Sequence, residues 1–272
     1  MKIESVRPSD EDIKQIKKMS VSQLKTPEEK LIERGEISIK KRIQKEESKE
    51  EASDIYLVEV KDGNKIAEGV FKPCGEGHGM NCRCSREEAT YLASKILGFD
   101  IVPTTGRRDI SNDNFGVEDV GSIQLYDYGE IADNAHLDDS EDGIIRLRIF
   151  DYVVWNYDRH DWNYLVTSEG KTTAVDNESS FGAKDDDAAR KEIIGDIEDI
   201  ADKQIPDDVI EIFEKYQNDP RVQIKLKKSL KEFLDVEMVN AMLSRIDKVS
   251  KFILSNGTIP SDERSIDTLT YR

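Results

Sequence analysis

Residues 151–166 read DYVVWNYDRHDWNYLV. An apolar helical pattern runs into a tight polar cluster, and an apolar strand pattern leaves it. Within the cluster Asp158 and Asn163 stand five apart, and Asp176 follows thirteen residues later in TAVDNESSF. Phosphoryl transfer needs one carboxylate beside the attacking hydroxyl and two oxygen ligands for the magnesium that bridges the phosphates. The spacing supplies that set. Asp158 faces the acceptor, Asn163 and Asp176 hold metal, and His160 reads as a loop histidine that orders its neighbours.

Upstream, DIYLVEVKDGNKIAEGVFK at 54–72 alternates like two strands around an Asp62-Gly63 turn. Lys72 ends the second strand, where its ammonium can neutralise nucleotide phosphates. Residues 86–97 carry Ala89, Leu92, Ala93, Ile96 and Leu97 at helical spacing, and Gly98 closes the helix. Glu87 and Glu88 both lie in its first turn and compete to pair with Lys72; one of them faces it. VPTT and VEDVGSIQLYDY read as further strands. Residues 109–143 hold eleven acids and neither Lys nor Arg, a joint between a β-rich first part and a helical second part. GIIRLRIFDYVVWN and the long helices of 222–254 make up that second part.

Five blocks then match in order: VFKP at 70–73, REEATYLASKILGFDIVPTT at 86–105, GSIQLYDYGEIA at 121–132, DYVVWNYDRHDWNYLV at 151–166 and AVDNESSF at 174–181. On these the chain resembles the phosphatidylinositol 3-/4-kinase superfamily and its protein-kinase relatives, most of all the type II phosphatidylinositol 4-kinases and small prokaryotic kinases of that type. The resemblance implies an α+β, two-lobed protein-kinase-like fold with an ATP cleft between the lobes. It assigns Lys72 to phosphate contact, Glu87 to the ion pair, Asp158 to catalysis, Asn163 and Asp176 to magnesium, and Gln124, Leu125 and Tyr126 to the adenine. The chain departs from the pattern in two places. DGNK at 62–65 is no Gly-rich phosphate loop, and the Gly-rich run CGEGHG follows Lys72.

Composition narrows the partners. Forty Lys and Arg against fifty-seven Asp and Glu leave a net charge of −17. That excludes a nonspecific nucleic-acid binder, which needs surplus cations to displace phosphate counterions. It also disfavours an anionic membrane surface, so a protein substrate is preferred to a lipid. The acidic AKDDDAARKE at 183–192 would likewise repel an inositol headgroup. No run of about 18 apolar residues predicts a membrane span, and the first residues lack the apolar core of a signal peptide. A cytoplasmic protein is the expectation. Cys74, Cys82 and Cys84 are an odd set that predicts reduced thiols in a flexible loop; with His78 they are also a candidate zinc site, although the spacing fits no common zinc motif.

The expected domains are a charged helical extension over 1–50, an N-lobe over 51–125 and a helical C-lobe over 126–272. The expected activity is ATP- and magnesium-dependent transfer of the γ-phosphate to a hydroxyl by an atypical protein kinase. A phosphoinositide 4-kinase, a nucleotide-binding pseudokinase or scaffold, and a nucleotidyl transferase on the same fold are the alternatives.

Overall fold

The computed structural model describes residues 9–20, 25–43, 55–74, 79–110, 120–126, 130–131, 141–167, 171–182 and 187–259. Two helices come first, α1 (Asp10–Lys18) and α2 (Pro27–Arg34), each opened by a capping box from Ser9 or Thr26. Then follow β1 (Glu36–Ile43), β2 (Ile55–Asp62), β3 (Lys65–Pro73), α3 (Arg83–Leu97), β4 (Thr105–Asp109) and β5 (Val120–Leu125). The five strands form one antiparallel sheet in the order β1-β2-β3-β5-β4.

Alternation builds this sheet. Tyr56, Val58 and Val60 on β2 and Phe71 on β3 turn to one buried face, where Leu31 and Ile32 of α2 cover them. Gly106 on β4 permits that cover, since a β-carbon there would lie 2.9 Å from Cγ2 of Ile32. Asp62 pairs with Lys65, so the hairpin turn is Gly63-Asn64, one residue later than expected. Gly63 takes the φ of +62° that the first position of such a loop favours.

The 1–50 segment is therefore not a purely helical extension. Glu36–Ile43 is the edge strand of the sheet, paired from Glu36–Lys61 to Ile43–Ile55 with one register shift between Ile39 and Lys41. Its Lys and Arg residues suggested a solvated helix, but charge on an edge strand guards it against pairing with other chains.

The rest of the chain gives β6 (Glu130–Ile131), α4 (Glu141–Val154), β7 (Tyr164–Val166), β8 (Thr172–Ala174), α5 (Asp187–Glu198), α6 (Asp207–Asn218), α7 (Pro220–Leu230) and α8 (Val236–Asn256). β6, β7 and β8 form a small antiparallel sheet. The fold is α+β. A second and larger core gathers α4, α6, α7 and α8, and α3 joins it through Leu92, Ala93 and Leu97. Phe99, just past α3, stacks its ring 5.1 Å from that of Phe150 on α4. Arg245 on α8 lies over the Trp155 ring at 5.1 Å and donates to the Val153 carbonyl, which caps the end of α4. Among the described residues, no helix is long and apolar enough to cross a membrane.

Candidate active site

Strand alternation sends Phe71 into the core beneath the sheet and Lys72 to the opposite face, beside Ser122 of β5. There Lys72 Nζ meets two carboxylates. It lies 2.9 Å from Glu87 Oε1 on α3 and 3.1 Å from Asp176 Oδ1 beyond β8. Burial alone would lower the pKa of this ammonium, but Glu87 and then Asp176 outweigh it and hold the group above the ordinary lysine range. Of the two competing glutamates, Glu87 takes the lysine. Glu88 points elsewhere and accepts the Arg107 backbone N–H at 2.7 Å.

The loop after α4 brings Asp158 and Asn163 to the same region. Asn163 Nδ2 lies 2.8 Å from the Asp158 carbonyl and 3.1 Å from His160 Nε2. The Val175 amide donates to the Asn163 carbonyl at 3.1 Å, which sets Asp176 one residue from that contact. Asp158 keeps its carboxylate half exposed. Ser179 Oγ donates to it at 3.4 Å, and His160 Nε2 stands 3.9 Å away. His160 also takes the Trp162 amide on Nδ1 at 3.3 Å, so it orders the loop. Burial and then the charge of Asp176 push the Glu178 carboxyl upward.

The residue that welds this site was not anticipated from the sequence. Arg159 is buried, and all five of its N–H donors are used. Nε and Nη2 grip the two oxygens of Asp151 at 2.9 and 3.0 Å. Nη1 reaches the carbonyls of Asn163 and Val175, and Nη2 reaches Asn177 Oδ1 at 2.6 Å. One guanidinium thus fastens the Asp158–Asn163 loop to the turn that carries Asp176. Asp176 sits there with φ +53°, a left-handed conformation that Asp tolerates better than most residues. The available signal was Asp151 itself, an acid in the apolar run IFDYVVW that only a buried cation would excuse.

The expected adenine contacts divide. Gln124 lies on the face of β5 that also carries Ser122, and its Nε2 donates to Thr105 Oγ1 at 3.0 Å. Leu125 turns to the other face and packs on the sheet core, because neighbouring strand residues alternate. Tyr126 is exposed, with its amide bonded to the Glu68 carbonyl at 2.9 Å.

The cysteines are also corrected. Cys74 and Cys84 form a disulfide, which removes two of the expected zinc ligands and the argument from reduced thiols for a reducing compartment. Cys82 remains a thiol, and the three sulfur atoms lie within 4.8 Å of one another. His78 lies outside the described residues. Comparison with protein-family models and with curated protein sequences gives no match.

Proposed function

We propose that the chain is an ATP- and magnesium-dependent phosphotransferase, an atypical protein kinase that moves the γ-phosphate of ATP onto a hydroxyl. In this reading the five-stranded sheet and the helical core are the two lobes of a kinase-like fold. The observation that carries it is Lys72 Nζ held between Glu87 and Asp176, with Asp158 and Asn163 fastened alongside. Kinases need a strand lysine paired with a helix glutamate, and an Asp and an Asn as metal ligands near a catalytic Asp.

The residues fit a divalent cation. Carboxylates outnumber cations here: Glu87 and Asp176 share Lys72, Glu178 meets Arg83, Asp158 lies on the adjoining loop, and burial followed by the charge of Asp176 pushes Glu178 upward. Asn163 commits its amide nitrogen to the Asp158 carbonyl, which leaves Oδ1 for a cation. Asn163 and Asp176 would hold magnesium, which when bound neutralises phosphate charge as a Lewis acid. Lys72 aligns the phosphates. Asp158 accepts the proton of the acceptor hydroxyl or orients it, and its half-exposed carboxylate stays open to that acceptor.

The net charge of −17 and the run of three Asp at 185–187 favour a protein acceptor over an anionic lipid headgroup. Incubation with γ-labelled ATP and magnesium against generic protein and phosphoinositide vesicles in parallel tests the reading. Label on protein supports it. Label only on vesicles makes the chain a lipid kinase, transfer only from α-labelled ATP makes it a nucleotidyl transferase, and ATP binding without transfer makes it a scaffold.

A further inference from the structure

Three sulfurs meet where β3 hands over to α3. The disulfide partners Cys74 and Cys84 are buried, at 5% and 2% exposure. Cys82 is more open, and its Sγ lies 3.3 Å from each of them. We propose that the three cysteines form a thiol–disulfide exchange site, in which Cys82 admits a small dithiol reductant to a buried bond that clamps Lys72 against Glu87.

Thiol exchange depends on which sulfur is attacked and on access to it. Solvent barely reaches the two bonded sulfurs, so a reductant enters through the sulfur it can touch. Cys82 occupies the N-cap of α3; its Sγ makes no capping bond and meets Ser85 Oγ at 3.1 Å, a weak contact that it gives up on rotating from beside the disulfide into line with it. Cys74 is its target. Both bonded sulfurs are equally near, but a Cys82–Cys84 bond would close a very short ring, whereas a Cys74–Cys82 bond spans the strand–helix junction.

The chemistry balances in three steps. The Cys82 thiolate attacks Cys74 Sγ; the Cys74–Cys84 bond breaks, and Cys84 leaves with the electron pair and takes up the proton that Cys82 gave up. One thiolate of the dithiol then attacks Cys82 Sγ and expels Cys74, which is protonated. The second thiol of the reagent closes on the first and releases Cys82. The protein gains two electrons and two protons, and the dithiol loses them as its cyclic disulfide.

The clamp follows from position. Cys74 lies two residues beyond Lys72, and Cys84 precedes Glu87 by three on the same face of α3. The bond therefore ties strand end to helix start right beside the ion pair. Asn81 holds the same region to Asp235 and to the Phe233 carbonyl, and the Arg107 amide holds Glu88. Reduction thus loosens the first turn of α3 and leaves the packing of the helix in place. Any consequence for phosphoryl transfer rests on the function proposed above; the exchange and the clamp do not.

The test uses the full chain, purified without reductant and pulsed with dithiothreitol. Iodoacetamide quenching and intact mass then count blocked thiols, one while the bond stands and three once it is reduced. Cys82→Ser is expected to slow loss of the bond about tenfold or more. The fold should survive, because serine is a favoured N-cap, and Cys82→Ala should show the same slowing. Equal rates in wild type and both variants overturn the relay, and three blocked thiols before any reductant overturn the bond itself. Amide hydrogen exchange over 83–88 is expected to quicken on reduction, and unchanged exchange there overturns the clamp.

Discussion

Lys72 neutralises a carboxylate that has almost no water around it. The Glu87 side chain is 3% exposed, and its Oε2 has no hydrogen-bond partner. Lys72→Met is therefore expected to abolish turnover and also to cost stability at neutral pH, about 3–5 kcal/mol, because it strands a buried charge. Lys72→Met combined with Glu87→Gln should recover most of that stability and none of the turnover. Urea melts of the single and double variants, read beside activity, decide this, and a single variant as stable as wild type would deny the ion pair. Asp158 behaves differently because its carboxylate is half exposed, beside Ser179 Oγ and the His160 ring. Asp158→Asn should keep nucleotide affinity while turnover falls by about 10²–10⁴. Affinity falling in step with turnover would move Asp158 into the metal shell.

Among the elements, α4, the loop after it and the turn after β8 act as one unit because Arg159 bonds all three. Its partner Asp151 is 1% exposed, so Asp151→Asn leaves a guanidinium buried without its carboxylate. The expected loss is about 3–5 kcal/mol, with the Asp158–Asn163 loop released from Asp176. Thermal melts together with amide exchange over 156–177 measure it, and a melt within a degree or so of wild type would show that the pair is dispensable. Asp158, Asn163 and Asp176 were legible in the sequence because they stand at short linear spacings on a helix–loop–strand pattern. Lys72 was legible because a strand end declared itself by periodicity, whereas periodicity left Glu87 and Glu88 in competition and only the resemblance favoured Glu87. Arg159 was not legible, since its five acceptor atoms come from three separate stretches of chain and no local pattern encodes them. β1 was misread for a related reason: its apolar Ile37 and Ile39 are too few among the lysines to show alternation, and only pairing with β2 makes them a strand. Leu125 packs on the sheet core while Gln124 does not, because neighbouring strand residues turn to opposite faces.

Across the whole molecule the acid surplus has a consequence for stability. Burial pushes the Glu88 carboxyl up to about 7, and Asp196 likewise to about 7. Unfolded carboxyls titrate near about 4, so the folded state holds these protons more tightly than the unfolded one. The stability they contribute is fully present below about pH 4 and is lost as pH rises through about 7. Glu88→Gln keeps an oxygen for the Arg107 amide and removes the titration. It should match wild type at acid pH and exceed it by ~3 kcal/mol at pH 8, a difference that urea melts at the two pH values resolve. Equal stability at both would mean that Glu88 is solvated. The central claim, that Lys72, Glu87, Asp158, Asn163 and Asp176 form an ATP–magnesium site, is tested most directly by calorimetric titration of ATP, with and without magnesium, into wild type and Asp176→Ala. Saturable, magnesium-dependent binding to wild type is expected, and it should weaken at least about tenfold when Asp176 is lost. Binding unaffected by Asp176→Ala, or no binding to wild type at all, would contradict it.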